Sequence, residues 1–303
     1  MRRTLSYMML LLLAAGCTRD QKNVYDPDVQ MQFHPVMHIP SKTANGDDYP
    51  AGQPFAVNAW TLDRELHWDE GMTSAQNYLA DVTVSFSEEN GWTLGENYLW
   101  PSADRHMTVI GYSPIESFTS CTAETGVSCS YDMTVDQTDL LYTDPQKDLD
   151  KMECGGVVSL PFRHALSQID FKVKNRVTKD EEILIKSIRI DGVKSRGNFT
   201  SLPEPIWVTE EDEMTLLFFE GNESTRNLSM EIGRTWNVIP QALSTKVTVE
   251  YEYRTAADTG FTLTLKTCDL QTNLKPGRHY TYTLAVGIDE VQFLLEIIED
   301  RFK

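Results

Sequence analysis

The chain has 303 residues, with 45 acidic against 27 basic and a net charge of −18. So negative a body is a poor ligand for nucleic acid and does not adhere to anionic headgroups by charge. Its five cysteines lack CxxC spacing, which excludes a zinc ribbon and a thioredoxin-like motif.

The first elements are export signals. Arg2 and Arg3 precede an apolar run from Leu5 to Leu13, broken only by Ser6, and Ala14-Ala15-Gly16-Cys17 follows. This pattern predicts a signal peptide over 1–16, cut so that Cys17 becomes the N-terminus and its thiol takes the lipid of a bacterial lipoprotein. Two or three acyl chains, palmitate-like in length, hold a protein on a membrane essentially permanently. The plainer alternative is ordinary cleavage after Gly16, because Leu13 lies one residue further from the cysteine than the lipoprotein pattern prefers. The run is too short for a membrane span, which needs about 20 apolar residues. Residues 17–28 are polar, carry no periodicity and read as a tether.

From Val29 the chain alternates. Val29, Met31, Phe33, Pro35, Met37 and Ile39 fall on one side, while Gln30, Gln32, His34 and His38 fall on the other, as in a strand with one buried face. Pro35 makes it an edge or interrupted strand. A turn-rich loop, SKTANGDDYPAGQP, comes next. Further strands are predicted at 54–62, 81–87, 107–114 and 157–162, with one short helix near Ser74 to Ala80. Beyond residue 163 the alternation becomes denser and almost no helical periodicity remains. The reading is all-β, with one sandwich over 29–162 and a second over 163–287.

A last segment, 288–303, places Val291, Phe293, Leu295 and Ile297 on one face and Gln292, Leu294, Glu296 and Ile298 on the other. It either completes the second sandwich of its own subunit or completes a neighbour's sheet by strand addition. Export permits disulfides, and Cys121 with Cys129 is the candidate pair, closing a short loop. Cys154 and Cys268 are what remains, and buried free thiols are the equal alternative for them.

Chemistry-bearing motifs are missing. The six histidines are scattered without an HExxH, and His34 with His38 is the one near pair. Asp144, Asp148 and Asp150 share a loop that lacks the glycine and terminal glutamate of a calcium-binding EF-hand. Gly111-Tyr112-Ser113-Pro114 is not a nucleophile elbow, and neither GxGxxG nor a P-loop occurs. No enzyme, metal site or cofactor is expected. Six tryptophans raise one rival, a sugar-stacking surface, with Trp92 and Trp100 as the indoles beside an exposed-type loop.

Four stretches together carry a family resemblance: DQTDLLYTDPQKD (136–148), VVSLPFRHALSQIDFKVKN (157–175), WNVIPQALSTKVTVEYEY (236–253) and LKPGRHYTYTLAVGIDEV (274–291). In that order they resemble the fimbrillin-like lipoproteins of Bacteroidales, the subunits of type V pili. The resemblance implies two transthyretin-like β-sandwich domains with a C-terminal donor-type strand, on an outer-membrane surface lipoprotein that supports adhesion. It also implies assembly by donor-strand exchange, in which a protease removes the lipidated first strand. The removable strand would then be Val29 to Ile39, with Val29, Met31, Phe33, Met37 and Ile39 on its apolar side. The donor would be Val291, Phe293, Leu295 and Ile297. Cleavage would fall at Lys42, where the family typically presents arginine. Implied partners are other fimbrial subunits, the outer membrane through the Cys17 lipid, and a host or bacterial surface ligand. An uncut chain would instead remain an anchor or a non-polymerising surface lipoprotein, for example a carbohydrate-binding module.

Overall fold

A computed structural model describes residues 30–38, 49–50, 52–176, 181–225, 229–288 and 291–299. Cys17, Val29, Ile39 and Lys42 lie outside them. The first half supplies β1 (Gln32–Met37), β2 (Phe55–Asp63), β3 (Gln76–Ser87), β4 (Gly91–Leu94), β5 (Arg105–Ser113), β6 (Ser120–Thr122), β7 (Gly126–Asp132), β8 (Leu141–Thr143), β9 (Gln146–Leu149) and β10 (Val157–His164). Eight of these form one sheet in the order β2-β3-β4-β1-β10-β8-β5-β9. Because β2 also pairs with β5 over eight residues, the sheet closes into a ring with β9 as a side branch. Closure removes the free edges that an open sheet must otherwise guard.

The run PFAVNAWTL reads as nearly continuous apolar sequence because both faces of β2 are covered. Phe55, Val57 and Ala59 point into the ring, where Met31, Phe33, Met107, Val109, Val158, Leu160 and Phe162 meet them. Ala56, Trp60 and Leu62 point outward into a second core. The helix expected near Ser74 to Ala80 lies earlier: α1 is a single turn, Trp68–Gly71, followed by a 3₁₀ turn over Met72–Ser74. Residues from Gln76 are strand because β2 offers them partners, Gln76 opposite Thr61 and Asn77 opposite Trp60. Those ladder bonds satisfy the backbone groups that a helix would have paired internally.

The second half contributes β11 (Ser167–Asn175), β12 (Glu182–Lys194), β13 (Arg196–Thr200), β14 (Ile206–Thr209), β15 (Glu213–Ser224), β16 (Met230–Val238), β17 (Ala242–Arg254), β18 (Thr262–Asn273), β19 (Arg278–Val286) and β20 (Val291–Glu299). Two four-stranded sheets, β16-β11-β19-β20 and β15-β12-β17-β18, pack face to face as a sandwich. Alternate Ile and Val residues of β12 and β17 point inward, and Phe171 meets Phe218 across the sandwich at 4.6 Å, edge to face. Gly233 has φ +77°, and a Cβ there would run into the Phe218 carbonyl oxygen. Only glycine fits that crossing.

A fourth sheet, β14-β13-β7-β6, draws strands from both halves: β7 pairs with β13 from Ser128 opposite Thr200 to Asp132 opposite Arg196. It covers the outer face of β2 and β5, with Val127, Cys129, Tyr131 and Phe199 in the same core as Trp60 and Tyr112. The halves meet between the end of β10 at His164 and the start of β11 at Ser167, and β7 with β13 stitches them together.

Candidate strand-exchange site

The strand β1 is the stave that closes the N-terminal ring, and its two sides are held very unequally. Toward β10 it runs parallel for its whole length, Gln32 opposite Val157 through Met37 opposite Phe162. Toward β4 it has one pair, Gln32 opposite Thr93. The amides alternate between these neighbours. Gln32 N–H donates to the Gly156 carbonyl at 3.4 Å and His38 N–H to the Phe162 carbonyl at 2.7 Å, both toward β10. Met31 N–H turns the other way and donates to the Tyr98 carbonyl at 3.2 Å. Pro35 is an odd position like Met31, so its missing N–H faces the side where β4 has already stopped. Proline therefore costs β1 no ladder bond, and the strand is interior at one end and an edge at the other.

Side chains do the rest of the holding. Met31 is 1% and Phe33 4% exposed, and the Phe33 ring stands edge-on to Phe55 at 6.3 Å. Gln32 and His34 point to solvent. Lys42 lies in sequence between β1 and the next described residue, Tyr49. Tyr49 is buried against Phe55, Trp92 and Phe162, with ring centroids 5.5, 5.4 and 4.7 Å away. Tyr49 thus pins the chain to the body of the fold. Tyr49 and its aromatic cluster follow Lys42 in sequence and belong to the body of the fold.

At the other end, β20 pairs antiparallel with β19 from Val291 opposite Val286 to Glu299 opposite Arg278. It is the last strand in its sheet, paired on one side only. Phe293, Leu295 and Ile297 take the register positions opposite Leu284, Tyr282 and Tyr280, all three of them buried. Leu294, at an alternate position, is 57% exposed. Val291 packs against the core, and its carbonyl accepts from the Cys268 thiol at 3.4 Å.

A fimbrillin-like family model matches residues 44–298, which take in every strand from β2 through all but the last residue of β20. The chain belongs to the fimbrillin-like family. Among solved structures, a fimbrial protein from Bacteroides vulgatus superposes with a TM-score of 0.71 at 16% identity, over 90% of this chain and 99% of its own. Candidate cell adhesion proteins from Bacteroides uniformis and Bacteroides ovatus give 0.58 and 0.57 at 15% and 14% identity, over 91% and 92% of this chain and 100% and 99% of theirs. At these identities the likeness is one of fold. Comparison with curated protein sequences finds no match.

The remaining candidates of this fimbrillin-like chain separate cleanly. Cys121 and Cys129 are free thiols, as are Cys154 and Cys268. On the β6–β7 hairpin Cys121 lies opposite Val127, and Cys129 instead sits opposite Phe199 of β13. Burial pushes the Cys129 thiol up to about 12 and raises Cys121 further still, so neither is a ready nucleophile. Among the tryptophans, Trp60, Trp68, Trp100 and Trp236 are buried. Trp92 is packed between Tyr49, Phe55 and Phe86, and Trp207 lies on Phe199 with its N–H donated to the Ala165 carbonyl. No two indoles form an exposed platform for a sugar. His164 meets Asp139 at 2.7 Å, and His279 meets Asp170 at 3.0 Å deep in the sandwich.

The acidic loop does not form one cluster. Asp144 pairs with Arg163 at 2.7 Å, Asp148 turns to His67 at 3.1 Å, and Asp150 pairs with Arg64 at 2.6 Å. Burial pushes the Asp150 carboxyl up, but the Met152 amide and the Arg64 guanidinium outweigh it and hold the group below its ordinary value. A depressed folded pKa contributes stability above the unfolded value and loses it as pH falls through the folded one. Asp150→Asn should therefore cost about 1–2 kcal/mol at pH 6, and in urea titrations the gap to the parent chain should narrow as pH falls below the ordinary carboxylate range. A gap that stays constant across that range would show that the carboxylate charge is not what holds this loop.

Proposed function

We propose that this chain is the structural subunit of a surface fimbria, joined to its neighbours by β-strand exchange. The observation that carries the proposal is the position of β1, a short stave held by one ladder and the buried side chains of Met31, Phe33 and Pro35 in an otherwise complete ring. Cutting the chain at Lys42 would free β1 together with the lipidated tether at Cys17. The vacated slot, lined by β10, β4, Phe55 and Phe162, would then accept β20 of the next subunit. Alternate apolar residues at Val291, Phe293, Leu295 and Ile297 would replace Met31 and Phe33, while backbone pairing with β10 would supply affinity. Membership of the fimbrillin-like family and the likeness to a Bacteroides fimbrial protein support this reading. Before cutting, the lipid would hold the subunit at the outer-membrane surface, and its partners in the fibre would be other fimbrial subunits. Adhesion would belong to the fibre, with a host or bacterial surface ligand.

The test is limited trypsin digestion of the unlipidated chain, followed by intact mass and an unboiled denaturing gel. The expected result is a first cut after Lys42 and a ladder of heat-sensitive oligomers. A resistant monomer would mean that β1 is permanent and the chain acts as an uncut surface anchor.

A further inference from the structure

We propose that His67, His106 and Asp148 form a binding site for a single divalent transition-metal ion of the zinc class, on the surface of the N-terminal ring. No linear motif brings these residues together; three separate elements do. His67 immediately precedes α1, His106 is the second residue of β5, and Asp148 lies on β9. One ligand atom from each lies within 4.8 Å of the others. A tetrahedral zinc ion with bonds near 2.0–2.1 Å wants its ligands about 3.4 Å apart, so small side-chain rotations complete the set.

The site is built rather than incidental. β9 departs from regular pairing with β5 between Met107 and Val109, and Asp148 there adopts φ +51°, left-handed for a residue with a side chain. Its amide donates to Thr108 Oγ1 at 3.2 Å, and its Oδ1 accepts from the Trp68 amide at 2.8 Å. That fixes the carboxylate and presents Oδ2 to His67 Nδ1 at 3.1 Å. The His67 and His106 rings stack, with centroids 5.9 Å apart and planes inclined by 27°. His106 Nδ1 is buried yet has no hydrogen-bond partner. An uncompensated buried nitrogen is costly in a finished fold, and a metal ion bound through Nδ1 would satisfy it. Lys147, next in sequence to Asp148, is paired with Asp69 at 2.6 Å.

The donor set selects the ion. Two imidazoles and one carboxylate suit zinc, copper or nickel, whereas calcium and magnesium prefer all-oxygen shells. Three protein ligands leave a fourth position open, and the His67 side chain is 67% exposed, so that position faces solvent. Water would fill it in an isolated subunit, and a carboxylate or imidazole of another molecule could replace that water.

The experiment is calorimetric titration of the tag-free, unlipidated chain with zinc chloride, repeated with cobalt to read coordination from its visible absorption. The expected result is one equivalent bound with a tetrahedral cobalt spectrum. His67→Ala, exposed and safe for the fold, and Asp148→Asn should each weaken binding about tenfold or more, and His106→Ala should abolish it. A His34→Ala/His38→Ala double variant should bind as the parent does. Absence of binding in the parent chain would overturn the site, and so would binding that survives both His67→Ala and His106→Ala.

Discussion

Leu295→Asp is expected to abolish the oligomer ladder after tryptic cleavage while leaving the monomer folded. The two effects separate because β20 is held differently in the two settings. In the subunit it is an edge strand, and losing its grip leaves β16, β11 and β19 still packed on the four-stranded partner sheet. In a neighbour's slot the same strand would lie between β4 and β10 with its alternate side chains enclosed. Each enclosed Leu or Phe is worth roughly 1.5–3 kcal/mol, and an unpaired carboxylate in that place costs several more. Slipping by one residue offers no escape, because it turns the whole apolar set outward. The control is Leu294→Asp, at an exposed position that should polymerise as the parent does. Size-exclusion chromatography and near-UV circular dichroism read both properties. An unfolded Leu295→Asp monomer would make β20 an indispensable strand of its own sandwich and remove it as donor.

The second large effect is at the other end. Phe33→Ala empties the most enclosed aromatic site on β1 and should weaken its docking by about 3–5 kcal/mol. Deuterium uptake over residues 157–164, the ladder partner, should rise sharply, and exchange after cleavage should quicken. His34→Ala, on the solvent side of the same strand, should change neither by more than about 0.5 kcal/mol. If Phe33→Ala instead melts the whole N-terminal ring, β1 is a founding member of that core and not a replaceable stave.

Much of the architecture was legible because burial leaves period-2 patterns. The alternation around Met31 and Phe33 marked a strand with one buried side, and HYTYTLAVG and KVTVEYEYRT became β19 and β17. What was not legible depends on pairings between distant residues. The segment near Ser74 looked helical because nothing local announces that Gln76 and Asn77 face Thr61 and Trp60. The fourth sheet could not be anticipated, since the pairing of 126–132 with 196–200 has no signature in either stretch. Trp100 follows a turn-rich loop and yet is buried, because the loop folds back over the ring. The His67, His106 and Asp148 cluster was missed for the same reason: only the meeting of the start of α1 with β5 and β9 brings them together, and the acidic loop that contains Asp148 suggested calcium by composition alone. Pro35 pointed to an edge strand, and the fold refines that to a strand with an edge at one end.

The central claim is that the slot of β1 is filled by β20 of a neighbour, and site-directed disulfide mapping tests it most directly. Ser159 of β10 lies opposite His34 of β1 and is exposed, so Ser159→Cys reports whatever strand occupies the slot. It would be paired in turn with Gln292→Cys, Leu294→Cys and Glu296→Cys, each in a separate chain, and the oxidised polymer mapped by mass spectrometry. The account predicts crosslinks between β10 of one chain and β20 of the next, appearing only after β1 is cut away. Polymer that forms with β20 still joined solely to its own β19, and no crosslink to β10, would contradict it.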